Sequence, residues 1–554
     1  MAPSTEFSLW SFLQARSEVP LHRVMAVASL SGLANATLIA VINSAAHEVA
    51  ADGLNTQKFF LFLIAITIYV LTQRYILQVS TIEVEKIIAK IRISLSDRIR
   101  RADLHAMETL GRAQLYASLN NDTLTISRAT APMIIASQGA LLVVFSLGYI
   151  WYLEPTAFAL TLAIVAIGIA LHFKNKKQLA YELAESSAKE NELFDVVTHL
   201  LDGFKEVKLN SARNRDLYEH LRGIAVDAAE LKTRSGIRYA HYYLFTQVMF
   251  LLLLAAMVFI LPELSANLVE PDQVTSITAA VLFIIGPLTT VVASVPVFRT
   301  ATHAVQNMAN LEAALDRAQQ LARDPDNGEV VTPPDFHTIE VRGVTFSHRD
   351  KAGRPLFTLG PVSCTITRGE TILTVGGNGS GKSTFFKLLT GLYYPDTGTI
   401  LIDGVDVKTI GDRRYRELFS AVFTDYHLFT RLYGLNQVDD RRVDELLRLM
   451  QLEGKTAWRD GRFVNQELST GQKKRLALIV SLLEDKPIYV FDEWAADQDP
   501  AFRKFFYDTL LPDLKAQGKT VIAATHDDRY FYAGDRVLKM EMGQFVAGEG
   551  LENA

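Results

Sequence analysis

The 554-residue chain is 49% hydrophobic and 21% charged, with a formal net charge of -5 at pH 7. That length is enough for more than one domain, and the charge gives no reason to expect nucleic acid as a partner. Cys364 is the only cysteine, which excludes an intrachain disulfide and a cysteine-based zinc site.

Apolar residues crowd into the first 300 positions. Met1 to Arg23 is polar and does not read as a cleavable signal, and the first apolar run is longer than a signal-peptide core. Six segments each approach the roughly 20 residues needed to cross about 30 Å of hydrocarbon. They are Val24–Ala46, Phe59–Val79, Ala131–Leu153, Thr156–Phe173, Tyr242–Leu264 and Val274–Phe298, with Arg74 the one charge well inside a span. A buried helical core is the alternative, but six such runs in pairs favour a membrane bundle.

Loop charge sets the orientation. The connections after spans one, three and five lack Lys and Arg, apart from Lys58 at the edge of span two. The connection between spans two and three carries Lys86, Lys90, Arg92, Arg98, Arg100, Arg101 and Arg112, and that between four and five is also basic. Excess Lys and Arg marks the cytoplasmic side, so both termini are expected there. Ile82–Leu110 and Gln178–Leu201 have apolar residues at helical spacing and read as cytoplasmic extensions of membrane helices. Breaks at Gly111–Asp122 and Asp202–Asn214 are expected to carry short transverse helices that press on the carboxyl-terminal domain. Within the spans, Asn35, Thr37, Asn43, Gln138, Gln247 and Thr289 either line a cavity or bond helix to helix. The expected domains are 1–322 in the membrane, a Pro- and Gly-containing linker at 323–336, and an α/β domain at 337–554.

In that last domain, Thr338–Phe346 alternates like an edge strand and ends at Ser347-His348, where an imidazole would stack on adenine or simply face solvent. The strand-like run Thr371–Val375 then leads into Gly376-Gly377-Asn378-Gly379-Ser380-Gly381-Lys382-Ser383-Thr384 and a helical Phe385–Leu389. This is G-x-x-x-x-G-K-S in the strand–loop–helix context that gives it meaning. Backbone N–H groups of such a loop close around phosphate oxygens, Lys382 reaches the terminal phosphates of ATP, and the Ser383 hydroxyl is placed for Mg²⁺. Leu468-Ser469-Thr470-Gly471-Gln472 precedes Lys473-Lys474-Arg475 and an apolar helix, an anion site at a helix N-terminus. Ile488–Phe491 reads as a parallel strand buried on both faces, so Asp492 and Glu493 lie at its carboxyl end, where ligands of open α/β sheets gather. Asp492 is expected to hold Mg²⁺ through water and Glu493 to act as general base on the attacking water. His526, after the strand Thr520–Thr525, would bond the γ-phosphate and position the water or Glu493.

Phosphate loop, Ser469 segment and acidic strand, in that order, resemble the ATP-binding-cassette ATPases. With six spans in front, the whole chain resembles an ABC exporter half-transporter. The fold that this resemblance implies is a membrane α-helical bundle of six transmembrane helices fused to an α/β P-loop ABC ATPase domain. Leu468–Gln472 matches the family signature with Thr470 in place of the first Gly, His526 matches its switch histidine, and Asp499 matches the Asp of the loop after the acidic strand. The family's usual Gln near Mg²⁺ is here Thr424, followed by Asp425, and the segment from Thr424 to Leu468 is short for a helical subdomain. The stretches Phe419–Phe429 and Asp492–Pro500 look like the bacterial branch that exports cyclic peptides and siderophore precursors, of the syringomycin and pyoverdine type. One phosphate loop and one signature per chain imply a homodimer with two composite ATP sites and twelve spans. The resemblance further implies alternating access in a bacterial inner membrane, with membrane lipid around the bundle. A peptide-like or amphiphilic cargo is implied, and a lipid flippase is the alternative.

Overall fold

The computed structural model describes residues 9–49, 56–111, 115–174, 185, 189, 192–264, 271–321, 331–350, 353–435 and 438–546. Residues 323–330 of the expected linker, and 178–184 of the second cytoplasmic extension, lie outside them. The chain forms two compact units, Met1–Arg92 with Ser118–Ala309, and Ile93–Ala117 with Asn310–Ala554.

The first unit is helical. Among the described residues five helices are long and apolar enough to cross a membrane, by length and composition. The fourth expected span falls on a further apolar helix, Pro155–Lys174, of which Pro155–Gly168 is a shorter apolar stretch. The helix Thr56–Arg101 has 46 residues, about 69 Å at 1.5 Å per residue, so it far outruns about 30 Å of hydrocarbon. Large apolar side chains such as Phe60, Ile64, Leu71, Leu251 and Phe259 are exposed, the surface that lipid would cover. Inside, Ile150, Leu253, Met257, Leu261, Ile277 and Val281 are fully buried together. Gly139 lets two helices approach, since a Cβ there would lie 3.1 Å from the Pro287 carbonyl oxygen. Glu83 ties down the N-terminal segment, accepting from the backbone N–H groups of Glu18 and Val19 at 3.1 and 3.4 Å.

The polar span residues divide by partner. Thr37 and Thr289 donate to their own helices, at Leu33 and Ile285 carbonyls. Asn43 joins helices, donating to Tyr149 Oη at 3.3 Å and the Ser276 carbonyl at 3.2 Å. Gln247 bonds Tyr243 Oη, and the buried Nε2 of Gln138 has no partner among the described residues. Arg74 is exposed on its helix.

The second unit is an α/β domain. In chain order its strands are β1 (Thr338–Arg349), β2 (Pro355–Thr367), β3 (Thr371–Val375), β4 (Thr397–Ile402), β5 (Val405–Asp406), β6 (Phe419–Val422), β7 (Trp458–Arg459), β8 (Arg462–Phe463), β9 (Ile488–Phe491), β10 (Thr520–Thr525), β11 (Arg536–Glu541) and β12 (Gln544–Val546). One sheet runs β2-β1-β4-β5, the larger runs β12-β11-β3-β10-β9-β6, and β7 and β8 form a small hairpin. Every residue of β3, β9 and β10 is buried, because apolar side chains cover both faces of the parallel strands. Between Thr424 and Leu468 the described residues form one α-helix, Asp440–Leu449, and the hairpin. β1, expected at a sheet edge, instead lies between β2 and β4 and pairs with both; it continues to Arg349 rather than ending at Phe346, so His348 sits within the ladder opposite Phe357.

The first transverse helix begins earlier than its break suggested. It covers Leu104–Leu110, started by Asp103, whose carboxylate caps the Ala106 N–H at 3.0 Å, and ended by Gly111. Ala117–Asp122 is instead a π-helical turn, and 112–114 lie outside the described residues. In the second break the short helix Phe204–Leu209 is followed by Asn210, which caps the next helix. The helix Leu104–Leu110 packs on the cassette of its own unit: Lys387 donates to Glu108 at 2.9 Å, and Tyr393 Oη donates to the same carboxylate. The His105 ring lies 5.3 Å from Phe346 and 5.4 Å from Tyr393 in edge-to-face contacts. Burial alone would raise the Glu108 carboxyl, but the bonds from Tyr393 and Lys387 outweigh it and hold it below its ordinary value. Its contribution to docking is therefore present above the ordinary carboxylate range and is lost as pH falls through the depressed one. Glu108→Gln should speed amide exchange across Leu104–Leu110 about fivefold, the size of a partly exposed ion pair near 1 kcal/mol. Unchanged exchange there would show that the carboxylate does not hold the segment.

Candidate nucleotide-binding site

Three adjacent parallel strands deliver the site. Val375 of β3 pairs with Thr525 of β10, and Ala523 of β10 pairs with Phe491 of β9. The loops that leave their carboxyl ends therefore emerge side by side, carrying the phosphate loop, Asp492-Glu493 and His526. The phosphate loop turns on Gly376, where a Cβ would meet the Met540 carbonyl oxygen at 2.2 Å. Only glycine fits there. Helix Lys382–Leu389 then starts at Gly381 and directs its unpaired N–H groups into the loop.

Lys382 is buried, and its Nζ donates to the Gly376 and Gly377 carbonyls at 2.9 and 3.2 Å. The same Nζ lies 3.2 Å from Glu493 Oε1, which accepts from His526 Nε2 at 2.7 Å. His526 Nε2 is 3.4 Å from Lys382 Nζ, so the three groups close a triangle at the loop mouth. Glu493 itself has a left-handed backbone, φ 51° and ψ 34°. Burial pushes its carboxyl up, but the His526 bond first, then the bond and charge of Lys382, bring it below the ordinary value. Asp492 shifts the other way: burial, aided by the Glu493 charge, raises it despite partial offset from Ser383, Lys382 and the Thr424 backbone. Both of its carboxylate oxygens are buried without a partner in hydrogen-bonding geometry among the described residues. A desolvated anion without such partners suits a cation.

A cleft of about 520 Å³ gathers His348, Asn378, Gly379, Ser380, Gly381, Lys382, Ser383, Thr384, Thr424 and Glu493. Asp425 is not among its walls. His348 Nε2 lies 3.3 Å from Thr384 Oγ1, and burial, then the His105 charge, lowers its pKa and favours the neutral ring. Phe357 forms a further wall, its ring centroid 6.4 Å from that of His348. Sequence reading missed Phe357, because only the β1–β2 register brings it opposite His348. Ser469, Thr470, Gly471, Gln472 and Asp499 do not line this cleft. Ser469 to Gln472 sit at a separate helix start, where Ser469 and Gln472 cap each other reciprocally and the Gln472 side chain turns back on its own helix. Asp499 caps the helix Pro500–Phe505 through the Phe502 N–H, which with Arg475 holds its carboxyl below the usual range.

Since the His526 bond is the largest group lowering Glu493, His526→Ala should move the Glu493 titration upward. Glu493 then protonates at a higher pH as the solution is acidified. Infrared titration of the isotope-labelled carboxyl checks this, and an unmoved midpoint would contradict the pairing.

Residues 359–496 match the family model described as "ABC transporter". The chain is 32% identical to ATP-binding protein SyrD of Pseudomonas syringae pv. syringae, over 94% of this chain and 92% of that protein. It is 27% identical to an ATP-dependent lipid A-core flippase of Burkholderia orbicola, over 76% of this chain and 71% of the relative. Its fold matches a solved bacterial Atm1-family ABC exporter with ATP bound, at a TM-score of 0.76 and 19% identity, covering 95% of both chains. The chain thus belongs to the ABC transporters, as an exporter half-transporter whose helical region and ATPase domain couple ATP hydrolysis to transport.

Proposed function

We propose that two copies of this chain form an exporter in a bacterial inner membrane, expelling a peptide-like natural product such as a cyclic peptide or siderophore precursor. The observation that carries the ATPase half of this reading is the Lys382–Glu493–His526 triangle, closed within 2.7 to 3.4 Å. The cargo half is supported by the likeness to SyrD along almost the whole chain, together with the stretches Phe419–Phe429 and Asp492–Pro500. Residues 1–322 form the membrane part, 323–336 the linker and 337–554 the cassette.

In this reading the backbone of Gly376 to Thr384 cradles the phosphates and Lys382 swings from the loop carbonyls to the terminal phosphate. The base of ATP lies against His348, with Phe357 beside it. Asp492, Ser383 and Thr424 would hold Mg²⁺, which offsets phosphate charge. Glu493, kept ionised by His526 and Lys382, takes the proton of the attacking water at its carboxylate. His526 holds that carboxylate and the γ-phosphate in one geometry. Ser469 to Gln472 and Asp499, remote from this cleft, act on the nucleotide of the second copy. Closure around ATP favours one membrane conformation and hydrolysis releases it, as in any two-state element driven by differential affinity.

Lys382→Ala should abolish ATP turnover. Glu493→Gln should retain ATP while losing about two to four powers of ten in rate; a wild-type rate in either variant refutes the corresponding role. For cargo, inside-out vesicles carrying the protein should accumulate a cyclic lipopeptide when given ATP. The likeness to a lipid A-core flippase favours a second reading, lipid translocation. Movement of labelled lipid headgroups without peptide uptake would select it.

A further inference from the structure

The sequence Lys473-Lys474-Arg475 and the loop Trp494–Gln498 carry residues to which the proposed nucleotide site gives no role. The structure joins them into one clasp. Lys474, 4% exposed, belongs to the helix Thr470–Glu484 that starts at Ser469. Its Nζ donates to the backbone carbonyl of Glu493 at 2.9 Å and pairs with the Asp497 carboxylate at 2.7 Å. The contact is returned: the indole Nε1 of Trp494, itself 1% exposed, donates to the Lys474 carbonyl at 2.8 Å. Around it, buried Gln498 donates to the Gly471 carbonyl at 3.2 Å and accepts from Arg475 Nε at 2.9 Å. A Cβ on Gly471 would lie 2.8 Å from the Asp497 carbonyl oxygen, so helix start and loop touch backbone to backbone.

We infer that Lys474 is a positioning residue for Glu493, and that it carries information from one ATP site to the other. The physical argument rests on where its bond ends. Glu493 holds φ near +51°, a region that a side-chain-bearing residue occupies only when its surroundings fix it. A buried lysine gripping the carbonyl of that residue is such a fixing group, worth more in a desolvated place than at the surface. The inference rests on the proposed dimer, in which Ser469–Gln472 meets the phosphates at one site while Glu493 serves the other. Lys474 lies five residues after Ser469, about 7.5 Å along the helix, and touches Glu493 directly. A shift of the helix start on meeting phosphate is therefore delivered to the backbone of the base. Each site becomes ready when its neighbour is filled.

The test uses the full-length transporter in lipid nanodiscs with MgATP. Lys474→Met keeps the stem of the side chain and removes the donor; Asp497, half exposed, stays hydrated. The expected result is a loss in kcat of about ten- to hundredfold, as for a misplaced catalytic group, with the KM for ATP within about twofold. The Hill coefficient for ATP should drop from above one to one. In the Glu493→Gln background, Lys474→Met should add no further loss, because it acts through that carboxylate. Should Lys474→Met fold poorly in thermal unfolding, Asp497→Asn loosens the same Nζ from the surface side and should lower kcat about two- to fivefold in the same direction. An unchanged kcat and Hill coefficient in the folded variants overturns the inference, as does a full additional loss on top of Glu493→Gln or a wild-type Hill coefficient of one. If Glu493→Gln alone hydrolyses ATP at the wild-type rate, the general-base reading fails first, and that result is independent of Lys474.

Discussion

Register between three parallel strands is the constraint from which the site follows. β3, β10 and β9 lie side by side with their carboxyl ends level, and each is buried on both faces. Slippage by one residue would turn every side chain of a strand to the opposite face, into a core where both faces are already filled. Apolar burial at roughly 25 cal/mol per Å² therefore fixes the sheet. The sheet in turn fixes the distance from Lys382 to Glu493 and from Glu493 to His526. Chemistry at the loop mouth inherits its precision from packing several residues below it.

Groups carried by short, contiguous motifs were legible before the fold was known. The glycines and Lys382 of the phosphate loop, the acidic pair after an apolar tetrapeptide, and the histidine after the next strand each announce themselves locally. What escaped depends on residues distant in sequence. Phe357 reaches the cleft only through the β1–β2 pairing, and the Lys474 clasp spans 19 positions. The short helix Leu104–Leu110 was misplaced because its boundaries lie in Asp103 and Gly111, small signals beside a strongly periodic stretch. Gln472 illustrates a different limit: its identity fits a signature, whereas its side chain is occupied in capping its own helix.

Charge is distributed in the cassette with the same economy. Of two neighbouring carboxylates, Asp492 is raised by burial while Glu493 is lowered by His526 and Lys382. Divergent environments for adjacent acids are how one strand end supports two roles, one suited to a cation and one to a proton. Thr424, shorter than the Gln usual in the family, still stands at the cleft wall, and its backbone also bears on Asp492.

The left-handed backbone at Glu493 has an evolutionary side. An L-residue in that region costs roughly 1–2 kcal/mol relative to ordinary helical geometry, whereas Asn and Gly tolerate it more readily. Selection for thermal robustness alone would thus push this position toward Asn or Gly. A glutamate there carries a backbone cost that the proposed general-base role, and not the stability of the fold, would offset.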